Sequence, residues 1–156
     1  MYKERKFSQE NIIMMSMEEM VPKDHLLRKI DKSIDFSFIN EKTKNLYSSN
    51  SGRNCIEPVV LFKIVFLQYL YGIKSMRATV KQCETDASFR WFLGIPFGER
   101  VPHYSTFSQN YIRRYSKHEI FEEIFEEVLH QAVARKLVPG RDLFTDSTHI
   151  NANANT

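Results

Sequence analysis

The sequence predicts an all-α fold, a compact multi-helix domain followed by one strand, and three observations predict it. The stretch PVVLFKIVFLQYLY, residues 58–71, has only Lys63 and Gln68 as polar side chains, so apolar residues surround it on every face. A helix of that kind belongs at the centre of a core. Segments before and after it, residues 22–34 and 116–136, repeat apolar residues at helical spacing. Strand-like patterning occurs once, in RDLFTDSTHI near the end of the chain.

In chain order, residues 1–21 are an N-terminal arm that runs from charge into a short Met-rich patch. Residues 22–137 are the helical domain. Its first helix is PKDHLLRKIDKSI, with Asp24 as N-cap and Leu26, Leu27, Ile30 and Ile34 on one stripe. A weaker helical stretch follows from Phe36 to Tyr47, and YSSNSGRNCIE is a polar loop. Pro58 starts the central helix at a position where its missing N–H costs nothing, and Gly72 stops it. At fourteen residues it is long for a strand, and it falls short of the roughly 18 apolar residues of a membrane span.

Ser75 caps a helix over 76–84, and Asp86 caps another over 87–93 that ends at Gly94. IPFGERVPHY is a loop, after which Ser105 caps a helix through Tyr115 with Phe107 and Tyr111 turned inward. Ser116 and Glu119 form a capping-box pattern ahead of Ile120, Phe121, Ile124, Phe125, Val128, Leu129 and Ala132, the clearest amphipathic repeat of the chain. Pro139 and Gly140 break that helix. Residues 138–156 then begin a second unit, with a strand from Asp142 to Asp146.

With 156 residues, 42% hydrophobic and 13% aromatic, the chain holds ample material for a core and does not have the composition of a disordered one. The net charge of +3 is small, but it is unevenly placed. Residues 72–115 carry seven Lys or Arg against three Asp or Glu, and residues 116–136 three against five. Cys55 and Cys83 form neither a metal-type spacing nor a disulfide framework, which suits a reducing cytosol. No N-terminal apolar signal is present.

The short helices between Ser75 and Tyr115 resemble a helix-turn-helix arrangement. On the last of them Thr106, Gln109, Asn110, Arg113 and Arg114 could donate to bases or phosphates, with Lys74, Arg77 and Lys81 on the preceding basic segment. A solvated helix face would carry the same residues. Asp146 could hold a divalent metal at a sheet edge, or simply cap a turn with Ser147 and Thr148. His25, His103, His118 and His130 have no ligand partners at metal-site spacing.

The order PKDHLLRKID, EPVVLFKIVFLQYLYGIKSMRATVKQCETDASFRWFLGI, VPHYSTFSQ and FTDSTHINANAN resembles the N-terminal part of insertion-sequence transposases of the DDE class, with an InsH-type N-terminal domain. The resemblance covers nearly the whole chain, and FTDSTHINANA is its most specific part. It implies that the strand opens a ribonuclease-H-like nuclease core and that Asp146 is the first of three catalytic acids and a Mg²⁺ ligand. The second Asp and the Glu have no counterpart before Thr156. The expectation is therefore a DNA-binding and assembly region that needs no cofactor by itself, whose complete parent uses Mg²⁺. Its expected partners are duplex DNA at terminal inverted repeats, a second copy, or a C-terminal transposase half, in a bacterial, nucleoid-associated setting without membrane. A protein interaction module, or a nuclease half completed in trans, are the alternatives.

Overall fold

The computed structural model describes residues 10, 12–47, 56–116 and 119–138, and every regular element among them is helical. In order these are α1 (Met17–Met20), α2 (Leu26–Ser33), α3 (Phe38–Thr43) with a 3₁₀ turn (Lys44–Leu46), α4 (Pro58–Leu70), α5 (Met76–Thr85), α6 (Ala87–Leu93), α7 (Tyr104–Asn110) continuing into a π turn (Tyr111–Tyr115), and α8 (Ile120–Ala134). The expected strand at Asp142–Asp146, residues 48–55 of the polar loop and Pro139–Gly140 lie outside the described residues.

Helix α4 is the axis. Leu61, Phe62, Ile64 and Leu67 are buried, and α3, α5 and α6 pack against it. The core is aromatic: Phe36 meets Phe66 and Phe92 edge-on at 5.6 and 5.7 Å, and Phe62 lies 4.7 Å from Phe121 and 5.4 Å from Tyr115. Such offset and edge-to-face pairs add to the simple burial of apolar area. Burial is not all-round, however. Tyr69 is 79% exposed, and Leu70 and Tyr71 are exposed too; among the described residues no helix covers Tyr69, while the Tyr71 ring rests 4.8 Å from Phe89.

The polar residue at the middle of α4 has partners for its charge. Lys63 Nζ donates to Asp31 Oδ1 at 2.9 Å and to the Phe92 carbonyl at 3.0 Å, and it sits over the rings of Phe36 and Phe92. The second half-buried cation is Arg28, which donates to the Glu18 carboxylate, to the Glu18 carbonyl at 2.5 Å and to the Val21 carbonyl at 3.0 Å. Its guanidinium covers the Trp91 ring, whose Nε1 donates to Glu18 at 2.7 Å. Short α1 is thereby clasped to α2 and α6. Hydrogen bonds from Arg28 and then from Trp91 hold the Glu18 carboxyl below the usual carboxylate range.

Several caps differ from the sequence expectation. Helix α2 is capped by His25, whose Nδ1 accepts from Leu27 N at 3.2 Å, instead of by Asp24. Leu26 faces out, while Leu27, Ile30 and Ile34 are buried. The Ser116–Glu119 box does not form: Ser116 N closes the π turn by donating to the Tyr111 carbonyl at 2.8 Å, its Oγ donates back to the Ile112 carbonyl at 3.0 Å, and α8 starts at Ile120 without a side-chain cap. Phe125, expected on the buried stripe of α8, is 65% exposed. By contrast the Ser75, Asp86 and Gly94 signals hold, with Gly94 at φ +70°.

Candidate nucleic-acid interface

Helices α5 and α6 meet without a linker, because Asp86 ends one and begins the other. Its N–H donates to the Gln82 carbonyl at 2.9 Å, and its Oδ1 accepts from Ser88 N at 2.8 Å and Phe89 N at 3.1 Å. Cys83 is buried at this joint, where desolvation and then the Asp86 charge push its thiol up to about 12. After α6, the loop that leads to α7 is held from inside by Arg90. This side chain is 5% exposed and donates to the carbonyls of Glu84 at 3.1 Å, Pro96 at 2.7 Å and Glu99 at 3.1 Å. A buried guanidinium is tolerated when its donors are satisfied, and carbonyl oxygens do so here.

Helix α7 is capped two residues earlier than expected, at His103 instead of Ser105. His103 is the N-cap; its Nδ1 accepts from Ser105 N at 3.3 Å and pairs with Ser105 Oγ at 2.7 Å. Next to it, Tyr104 joins α7 to α5. Arg77 Nη2 donates to the Tyr104 hydroxyl at 2.5 Å, with the guanidinium 4.5 Å from the ring centroid. That contact fixes the base of α7 against the basic helix.

The cationic and amide side chains expected to contact nucleic acid fall into two groups. Lys74, Arg77 and Lys81 are exposed on and just before α5, at a spacing that keeps them on one side of a helix. Within α7, Thr106, Gln109 and Asn110 lie across the helix from Tyr104, at 100° per residue. Gln109 is exposed, whereas Thr106 and Asn110 are half-buried, and Asn110 Nδ2 donates to the Thr106 carbonyl at 2.8 Å. Arg114 is half-buried as well: it donates to Asn110 Oδ1 and lies 4.6 Å over the Tyr47 ring. Arg113 is exposed. Among the described residues no salt bridge engages Lys74, Lys81 or Arg113.

Two corrections to the sequence expectation follow. Tyr111 is 43% exposed where it was expected to turn inward, because the π turn rotates the chain after Asn110. The seven cations of residues 72–115 include Arg90, which is buried and unavailable to a partner. Sequence reading counted its charge and missed its role; a charged residue between Phe89 and the Trp91–Phe92–Leu93 run was the one signal of it.

The acidic surface is on α8, where Glu122, Glu123 and Glu126 are exposed and Glu123 pairs with Lys42 at 2.7 Å. Among the described residues no group of three or more His, Cys, Asp or Glu could hold a metal ion. Asp146 lies outside the described residues. No described helix is long and apolar enough to cross a membrane.

No match to the chain was found among curated proteins or among solved structures. A family match does exist, over residues 15–113, which takes in α1 to α7 and stops within the π turn. On that match the chain belongs to the family described as Transposase domain (DUF772), and a role in transposition follows from the membership.

Proposed function

We propose that this chain is the DNA-engaging helical region of a transposase, binding duplex DNA at the ends of its element through α5 and α7. The observation that carries the reading is the Arg77–Tyr104 contact, which joins an exposed basic helix to one that presents Gln109 and Arg113. The charge balance supports it: α5 and its approach carry Lys74, Arg77 and Lys81 against Glu84, whereas α8 carries Glu122, Glu123, Glu126 and Glu127 and no Lys or Arg. The π turn supports it as well: such turns inside helices recur at functional sites. In this reading α5 and α7 serve as a helix-turn-helix-like pair, Lys74, Arg77, Lys81 and Arg113 bind phosphates, and Gln109 reads a base edge. Thr106, Asn110 and Arg114 orient that face through their internal hydrogen bonds.

Asp146, by the resemblance of FTDSTHINANA to DDE transposases, would be the first acid of a ribonuclease-H-like site that binds Mg²⁺. No Asp or Glu follows it in this sequence, and a two-metal phosphoryl-transfer site needs several carboxylates. The chain by itself is therefore proposed to bind DNA without cutting it.

Fluorescence anisotropy with labelled terminal-repeat DNA and a scrambled control, across a salt series, tests the reading. Log K should fall linearly with log salt, with a slope of roughly −0.9 for each phosphate contact. Ala at Lys74, Lys81 or Arg113 should flatten the slope by about one contact and weaken binding to both DNAs alike. Gln109→Ala should cost about 1–3 kcal/mol on the terminal repeat and little on the control. A folded protein whose affinity for both DNAs is weaker than about 100 μM at low salt would refute DNA binding.

A further inference from the structure

Helices α4 and α8 diverge and leave a groove of about 540 Å³ between them, lined by Val65, Phe66, Leu70, Phe121, Phe125 and Val128 among others. Its single charged lining residue is Glu122. Among the described residues nothing covers the rings along it, Tyr69 at 79% and Phe125 at 65% exposure above all. Contiguous apolar surface of this sort marks a place where another chain sits.

The same molecule carries an apolar segment without a seat. Ile12, Ile13, Met14 and Met15 lie in irregular chain ahead of α1, with Ile12 93% and Met14 96% exposed. The root of this arm is fixed. Ser16 and Glu19 form a reciprocal capping box, with Ser16 N donating to Glu19 at 2.8 Å, and Glu18 is clasped by Arg28 and Trp91 on α2 and α6. Ile12–Met15 are exposed and do not line the groove, so among the described residues the arm does not fill the groove of its own chain.

We propose that the groove between α4 and α8 receives residues Ile12–Met15 of a second copy of this chain, and that the exchange is reciprocal about a two-fold axis. Charge selects this occupant over a second α8. Residues 1–9, just ahead of the arm, hold Lys3, Arg5 and Lys6 against Glu4 alone, whereas the groove is lined by Glu122, and α8 exposes Glu123 and Glu126 as well. Pairing two α8 helices would set those acids against each other, and the arm brings cations to them instead. Reciprocal exchange also closes the assembly at two chains, because each copy then has its arm and its groove filled. The proposal is independent of DNA binding, which uses α5 and α7.

Light scattering coupled to size exclusion, over a range of chain concentrations, tests it. The wild-type chain should run at the mass of two chains. Ile12→Asp with Met14→Asp on the arm, or Phe125→Asp in the groove, should each weaken the dimer by roughly thirty-fold or more. All three sites are exposed, so circular dichroism should show wild-type helix content and melting. An equimolar mixture of arm and groove variants should regain a dimer through the one intact arm–groove contact. Met14→Cys with Val65→Cys, in a Cys55→Ser background, should oxidise to a disulfide between chains. A monomeric wild type, a dimer that survives the arm variant, growth beyond two chains, or a Met14–Val65 crosslink absent or confined within one chain would each overturn the proposal.

Discussion

Lys63 Nζ lies 2.9 Å from Asp31 Oδ1 and 3.0 Å from the Phe92 carbonyl, so one side chain ties the central helix to both α2 and α6. The two acceptors are not equivalent. Asp31 is 42% exposed and can turn to water, whereas the Phe92 carbonyl has no such freedom. Asp31→Ala should therefore cost about 0.2–1 kcal/mol, and Lys63→Ala about 1.5–3 kcal/mol, since it removes a charge-assisted donor from a buried carbonyl. Urea melts of the two variants decide the order. Equal costs would mean that the ion pair to α2, and not the carbonyl contact to α6, accounts for what Lys63 contributes.

The end of α8 stores a small backbone strain. Lys136 has φ +58°, and its N–H reaches the Val133 carbonyl at 2.9 Å while Leu137 N reaches Ala132 O at 2.9 Å. This is a Schellman close in which glycine usually occupies the left-handed position. Lys136→Gly should stabilise the protein by up to about 1 kcal/mol, because a side chain in that conformation costs about 1–2 kcal/mol and glycine gives back part of it as chain entropy. Thermal melts should show the rise; a fall would mean that the lysine side chain contributes more than its strain.

Cys83 makes stability depend on alkaline pH. The unfolded thiol ionises near its ordinary 9.0, and the buried one only near about 12, so between those values the folded state holds the extra proton. Stability from this group is full below pH 9 and is lost as pH rises toward 12, at up to ~1.4 kcal/mol per pH unit. Tyr71, raised by burial and then by Asp86, acts in the same direction. Denaturant melts from pH 8 upward should slope downward in the wild type and less steeply in Cys83→Ala. Parallel slopes would place the thiol in contact with water.

Arg114 and Lys81 should separate structure from binding. Arg114 packs on Tyr47 and donates to Asn110, while Lys81 is exposed with no salt bridge among the described residues. Arg114→Ala should lower stability by about 0.5–2 kcal/mol and leave the salt slope of DNA binding nearly unchanged. Lys81→Ala should do the reverse, with a melt within about 0.5 kcal/mol of wild type. Anisotropy and thermal melts on the same two proteins are sufficient. If Arg114→Ala flattens the salt slope by a full contact, its guanidinium leaves Tyr47 to reach phosphate.

Asp146→Ala provides the remaining check, on chemistry rather than binding. The wild-type chain should show no Mg²⁺-dependent nicking above background, and the variant should match it. Nicking that the variant abolishes would mean that other carboxylates complete the site.

What the sequence alone determined was the helical plan: the central helix 58–70, the Ser75, Asp86 and Gly94 signals, and the amphipathic repeat of α8, all of which rest on near-neighbour chemistry. Caps supplied by histidine escaped it, because imidazole accepts a backbone N–H only when the ring is turned to the helix, which composition does not reveal. Charge counting also has no view of burial. Arg90 reads as one more surface cation until the 94–100 loop folds over it and offers two carbonyls beside that of Glu84 on α5. Only tertiary structure decided which apolar residues of α4 and α8 were left over, since Tyr69 and Phe125 stand in the same helical patterns as Leu67 and Ile124 but line the groove between the two helices, where they stay exposed. The Arg77–Tyr104 contact, which joins residues 27 positions apart, is of the same kind: each partner is ordinary in sequence, and the packing of α7 against α5 makes them one surface.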